Sequence, residues 1–369
     1  MPAIEYKWYN IEDDKHTIKE YKEYKRIIYQ PGRVARIILN RPQYYNAVSH
    51  PLFGELDDAL DRAAADPKCR VIVLSGAGPH FCSGDDAIGL TPESAPVMAD
   101  AKSPEELMKM HGSEKEVWRL YNNQHQYYLS NVHEMKWRNN PKATIAMVHG
   151  YAVYMGWVLA HTMDLCFATE DSLWLYPGAG PGHTMGTWIM NPRKALEINF
   201  EHRFVLGREM YEVGNVNRVF PDYETLERET LAYAERVAEN VPTMIRVMKK
   251  AIYSARDAQG FMGWHWDQPS YHEYVYYQKD VPEEDRHAQR YEGRGMARSP
   301  RAFANTKITL ESQGKEVPKA VLDAIARAKA RDDKAVWQKA LKQEWREKDR
   351  KERAEAEAKV QAEEEGKKK

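Results

Sequence analysis

The chain has 369 residues, 43% hydrophobic and 30% charged, enough to bury a sizeable core in one large domain or two modest ones. Its 54 basic and 55 acidic residues leave a formal net charge of −1, so no overall basic field exists to attract nucleic acid or an anionic membrane, although a locally basic pocket for a phosphorylated ligand stays open. Three cysteines without framework spacing (Cys69, Cys82, Cys166) point to free thiols in a reducing, cytoplasmic setting and not to disulfides or zinc.

Residues 1–30, rich in Tyr, Lys, Glu and Asp, read as a peripheral lead-in, and the polar stretch from Met1 to Lys25 predicts no signal peptide. No apolar run approaches a membrane span. The β-branched run Val34 to Leu39 predicts a strand closed by the turn Asn40-Arg41-Pro42. Apolar residues at helical spacing from Pro51 to Leu60 follow, with Ser49 as N-cap. Arg70 to Gly76 reads as a buried strand feeding a glycine-rich loop. This strand–helix–strand order predicts a crossover unit in a largely parallel sheet.

Gly89 to Arg119 is polar and interrupted by Pro92, Pro96 and Pro104, an irregular excursion and a candidate lid. A helix carrying Val117, Leu120, Tyr121, Tyr128 and Val132 is expected next, then a buried strand from Ala143 to Gly150 and a helix over 156–163. Asp164 to Ala168 and Ser172 to Leu175 read as short strands, and helices dominate after about Lys194. The organisation expected is a lead-in (1–30), a core (31–230), a helical C-terminal part (231–329) and a charged tail (330–369). The tail reads as a solvated helix fraying into disorder, or alternatively as an interaction segment.

Two loops stand out. One, Ser75 to Asp86, follows a buried strand and contains Gly76, Gly78 and Gly84; the other, His149 to Ala160, follows a second strand and opens a helix. Glycines let backbone N–H groups turn into a cavity, and helix-start N–H groups lack internal partners and carry partial positive charge. Two such loops at neighbouring strand ends can aim two donors at one oxygen, an oxyanion hole.

Leu39-Asn40-Arg41-Pro42 with Asn46-Ala47, then Phe81-Cys82-Ser83-Gly84-Asp85-Asp86, Val148-His149-Gly150-Tyr151-Ala152, Asp164, and Val213 to Pro221, in this order and spacing, resemble the crotonase (enoyl-CoA hydratase/isomerase) superfamily over about residues 30–305. The resemblance implies an α/β fold, a spiral of ββα repeats with a helical C-terminal part, assembled as a homotrimer or homohexamer. It implies acyl-CoA substrates, with CoA present only as part of the substrate and no separate cofactor or metal. It places the oxyanion donors on the N–H groups of Asp85 and Met155, flanked by Gly84, Tyr154 and Gly156.

Two departures matter. The two glutamates that the family's hydratases use fall at Val158 and Gly178, and neither residue moves a proton. The combination is nearer the branch of dihydroxynaphthoyl-CoA synthase and ring-opening hydrolases, with Tyr277 in a tyrosine-bearing C-terminal segment, yet that branch's catalytic aspartate falls near Met185. Candidates for proton transfer are therefore Asp86, His183 and His161, each with an alternative role as helix cap, loop residue or packed core residue. Trp157 and Tyr176 read as pocket wall suited to a cyclic or aromatic acyl group. Trp264 to Trp266 and Tyr271 to Tyr277 form an aromatic patch, either a pocket cover or a packing surface. The expected activity is hydration or hydrolytic cleavage of a cyclic or aromatic-derived acyl-CoA, as in the degradation of aromatic compounds. The alternatives are a CoA-independent hydrolase of a cyclic diketone and a non-catalytic scaffold.

Overall fold

β-branched runs and amphipathic helices alternate along the first half of the chain, and the backbone follows that alternation. The computed structural model describes residues 23–85, 132–176, 185–265 and 299–327. The first elements are strands β1 (Ile27–Gln30) and β2 (Val34–Leu39), helix α1 (His50–Ala65), β3 (Val71–Gly76), α2 (Glu134–Arg138) and β4 (Ala143–Val148). Next come β5 (Tyr151–Val153), α3 (Met155–Thr162), β6 (Leu165–Thr169) and β7 (Leu173–Leu175). Helices α4 (Met185–Ile189) and α5 (Pro192–Glu201), β8 (Val205–Leu206), α6 (Gly207–Glu212) and β9 (Arg218–Phe220) follow, then α7 (Tyr223–Ala238), α8 (Pro242–Arg256) and α9 (Ser299–Ser312). Residues 1–305 form one compact unit and residues 306–369 another; every described site residue belongs to the first.

The main sheet has the order β1-β2-β3-β4-β6-β9, with β1 antiparallel to β2 and the other neighbours parallel. β5, β7 and β8 make a second, smaller sheet. β3 explains why its run is apolar without alternation: all six residues are buried. Ile72 and Leu74 join a core with Leu52, Leu56, Ala59 and Ala63 of α1, while Val71 and Val73 face Leu226, Ala234 and Ala238 of α7. Both faces are covered, as a parallel sheet requires. Each buried aliphatic side chain contributes roughly 1.5–3 kcal/mol.

The expected crossover β2–α1–β3 is present, and Ser49 caps α1 by accepting the Leu52 N–H. One boundary differs. The segment read as a lead-in ends in β1, whose four residues pair with β2 from Ile27↔Leu39 to Gln30↔Arg36. The reason is tertiary: only Ile27 of the strand is fully buried, so no periodic pattern marks it. Among the described residues, no helix is long and apolar enough to cross a membrane. Of the helix expected through Val117 to Val132, all but Val132 lies outside the described residues, as do the polar excursion and the charged tail beyond 327.

Asp164 ties the sheet to α8. Its carboxylate accepts from the Thr144 N–H at 2.8 Å, the Thr144 hydroxyl at 3.0 Å, Lys249 Nζ at 2.8 Å and the Tyr253 hydroxyl at 2.6 Å. Removing one member of a buried charged cluster leaves the others desolvated and unpaired. Asp164→Ala is expected to lower unfolding stability by about 3 kcal/mol, read by urea denaturation. A loss under about 1 kcal/mol would show that water replaces the carboxylate.

Candidate active site

The two glycine-bearing loops form one hydrogen-bonded pair. Phe81 N–H donates to His149 C=O at 2.8 Å, Cys82 N–H to Tyr151 C=O at 2.8 Å, and Val153 N–H to Cys82 C=O at 3.0 Å. Cys82 and Ala152 thus make a parallel bridge. His80 stacks on Tyr151, with ring centroids 4.0 Å apart. Behind the first loop, buried Asn46 donates its side-chain amide to Ala77 C=O and His80 C=O, both at 2.8 Å, and accepts the Arg41 N–H at 2.8 Å. Arg41 in turn donates to Ala47 C=O at 2.6 Å. The Asn40-Arg41-Pro42…Asn46-Ala47 segment is therefore the clamp that shapes the loop.

The directions of two peptides follow. Gly84 C=O accepts the Val48 N–H at 2.8 Å, and no peptide among the described residues is cis. In a trans peptide the C=O and the next N–H point in opposite directions. The Asp85 N–H therefore points away from Val48. Gly84 has φ 108°, and a Cβ there would sit 3.1 Å from Tyr154 Cβ, so this peptide lies against the start of α3. On the second loop, Tyr154 C=O accepts the Val158 N–H at 3.1 Å, so the Met155 N–H points outward from the N-terminal end of α3. Tyr154 holds that turn with φ 47° and ψ −105°, an arrangement costing about 1–3 kcal/mol for a non-glycine residue. Gly156 is required by close approach: a Cβ would lie 2.5 Å from Cys82 C=O.

Around these donors the side chains are mostly apolar or neutral. Val158 is buried, and Trp157 meets Trp174 and Tyr176 edge-on at 6.1 and 5.6 Å. A shallow depression is lined by Trp157, Tyr176, Met190, Ala195, Ile198 and Asn199. Burial pushes the Cys82 thiol up to about 12, which keeps it protonated. Asp85 is open to solvent on one side, yet desolvation by the protein around its carboxyl raises its pKa to about 6.

His161 is brought close to the site, but both ring nitrogens are engaged. Nδ1 lies 2.8 Å from Trp157 C=O and therefore donates, and Nε2 then accepts from Asn215 Nδ2 at 3.2 Å. Burial lowers its pKa to about 4, so the ring is neutral at physiological pH. Asp86, Gly178, His183 and Tyr277 lie outside the described residues. Among the described residues no group of three His, Cys, Asp or Glu side chains is placed to hold a metal ion.

One buried titratable group, packed against the C-terminal end of α3, was not singled out by the sequence. Glu134, in α2, is 2% exposed, and desolvation raises its pKa from 4.5 to about 8, offset in part by Thr162. Its neighbours His133, Lys136 and Arg138 make the run look like a polar surface, and only its packing on α3 reveals otherwise.

The family profile for enoyl-CoA hydratase/isomerase matches residues 30–110 and 112–287. A Mycobacterium tuberculosis protein named enoyl-CoA hydratase EchA13 is 32% identical over 252 residues, covering 66% of this chain and 76% of that protein. A Mycobacterium smegmatis crystal structure named for an enoyl-CoA hydratase is 32% identical, with TM-score 0.58, covering 69% of this chain and 94% of the other. An enoyl-CoA hydratase/isomerase from Xanthobacter autotrophicus Py2 is 27% identical, with TM-score 0.58, covering 76% and 98%. A mixed sheet backed on both faces by helices, with paired glycine loops at the strand ends, is thus a crotonase-type enzyme fold. The chain belongs to the enoyl-CoA hydratase/isomerase family.

Glu134 makes stability depend on pH with a definite sign. The folded protein holds this proton between pH 4.5 and about 8, where the unfolded chain releases it. Relative to Glu134→Gln, the wild type keeps its full stability below pH 4.5 and loses it as pH rises through about 8. Thermal melts at pH 5 and 9 are expected to shift the difference in Tm by roughly 5 °C against the wild type. A pH-independent difference would mean that the carboxyl is solvated in the folded state.

Proposed function

We propose that the protein polarises the carbonyl of an acyl-CoA thioester between the Asp85 and Met155 N–H groups and stabilises the enolate formed from it. The observation that carries this reading is the pair of outward-directed trans peptides on two loops bonded to each other. A donor fixed in place before the reaction needs no reorganisation as charge develops, and each is worth about 3 kcal/mol. The partial positive charge at the start of α3 acts in the same sense. The family relationship supports a thioester as the carbonyl compound.

Our reading of the chemistry is hydration or hydrolytic carbon–carbon cleavage of a cyclic or aromatic-derived acyl group. Val158 removes the first glutamate of the ordinary hydration pair, which favours a reaction with a different proton-transfer arrangement. Half-buried Tyr176, backed by the buried ring of Trp157 and through it by that of Trp174, supplies an aromatic wall suited to a ring. Such a protein consumes CoA thioesters as substrates and needs no further cofactor.

The same reading includes self-association. Met244, Val247, Met248 and Ile252 of α8, with the preceding Val241, are 48–63% exposed, an apolar stripe at helical spacing. We assign it to packing between copies in a trimer or a pair of trimers. Met248→Glu is expected to convert the native assembly to a smaller species by light scattering; an unchanged mass would reject this face.

Met155→Pro tests the donor directly. Proline fits the first position of a helix and removes its N–H. With folding verified by circular dichroism, turnover of aromatic and linear enoyl-CoA thioesters should fall about 100-fold while binding persists. A loss below about threefold would reject the oxyanion role. Calorimetry with phenylacetyl-CoA gives the companion result: no heat at millimolar ligand would turn the reading toward a CoA-independent carbonyl hydrolase.

A further inference from the structure

A column of aromatic rings stands behind the two glycine-bearing loops. His80, on the first loop, stacks on Tyr151 at the start of β5, with ring centroids 4.0 Å apart and planes 18° from parallel. Tyr151 stacks in turn on Phe204 at 6.1 Å, and Phe204 on Phe303 of α9 at 4.4 Å and 26°. Phe303 also meets Tyr151 directly, at 6.3 Å. Tyr151, Phe204 and Phe303 are all buried. Asn305, two residues after Phe303, donates its side-chain amide to Glu201 C=O at the end of α5, which fastens α9 beside Phe204. The family match ends at residue 287, before α9 begins.

Tyr151 is where this column meets the loop backbone. It makes three links to the first loop: its ring lies on the His80 ring, its N–H donates to His80 Nδ1 at 3.3 Å, and its C=O accepts the Cys82 N–H at 2.8 Å. Tyr45 stands edge-on to His80 at 4.9 Å, and a Cβ on Gly150 would lie 2.5 Å from His80 Nδ1, so the His80 ring is held against the second loop. A displacement of Tyr151 is thus passed to Cys82, three residues before Asp85. Along β5 it is passed to Tyr154, the residue before Met155. Tyr154 holds its turn with φ 47° and ψ −105°, and a strained backbone persists only where its surroundings over-determine it. Close-packed rings transmit a displacement instead of absorbing it.

We propose that Phe303 is a positioning residue for the paired loops, seating Tyr151 directly and through Phe204 so that the Asp85 and Met155 peptides keep a common target. This rests on the thioester reading. Phe303 touches no substrate; it acts through Tyr151. Removing its ring leaves a void beside Phe204 and Tyr151, and the two loops gain freedom to move apart. A donor displaced from the thioester oxygen then polarises that carbonyl less.

The test is infrared spectroscopy of phenylacetyl-CoA labelled with carbon-13 at the thioester carbonyl, with Kd measured separately by calorimetry. Hydrogen bonds to the carbonyl oxygen lower its stretching frequency, so the band reads donor placement and not stability. Wild type is expected to lower the band relative to the free ligand. Phe303→Ala is expected to lose about a third or more of that shift, with Kd changed less than about threefold. Leu226→Ala opens a cavity in the cluster packed between α7 and the sheet, away from the column. It is expected to lower Tm and keep the whole shift. Should Phe303→Ala fold poorly, Phe303→Leu keeps an apolar filler without the flat ring, and the same loss of about a third or more is expected. A smaller loss in the folded variant, loss of binding by it, or an equal loss in Leu226→Ala overturns the Phe303 assignment alone. A wild type that binds no thioester, or binds it with an unshifted carbonyl, overturns the reading of the site, and this assignment with it.

Discussion

Everything at the candidate site depends on the short ladder that joins Cys82 to Tyr151 and Val153. Two loops from separate strands would otherwise place their peptides independently, each with its own conformational entropy. The ladder makes them one object. Close approach is then obligatory, which is why Gly156 faces the Cys82 carbonyl and Gly84 faces Tyr154. The Asn46 clamp performs the same service from the other side, satisfying carbonyls that a tight loop cannot pair within itself.

Much of the framework was legible in the sequence because it rests on local pattern. The runs at 71–76 and 143–148 are buried strands because both sheet faces are covered, and continuous apolarity is the signature of that burial, while 34–39 alternates buried and half-buried positions. Ser49 was legible as a cap because its chemistry is local. β1 was not, since a four-residue strand with one buried side chain owes its existence to its neighbour. β8 and β9, of two and three residues, are likewise products of tertiary pairing.

The site divides along the same line. The loops announced themselves through glycines placed at strand ends, and the family resemblance gave their peptides a purpose. Side-chain roles were harder to read. His161 carries the residue type expected of a base, but its hydrogen bonds are taken by Trp157 one helical turn earlier and by Asn215, a distant partner that no spacing rule reveals. Glu134 carries the opposite lesson. A glutamate between His133 and Lys136 has the look of a solvated surface, and only the packing of α2 on α3 removes its water.

The proposed use of backbone atoms as donors has one further consequence. A main-chain N–H survives almost any substitution at its own residue, proline excepted. On the proposed reading, Asp85 and Met155 can therefore stand at these positions without erasing the electrostatic device, provided the glycines and the ladder keep the peptides in place. Side chains around the site are left at liberty to reshape the cavity. In such a scaffold the means of stabilising charge is heritable independently of the choice of substrate, and new reactions can arise by moving a single proton-bearing group.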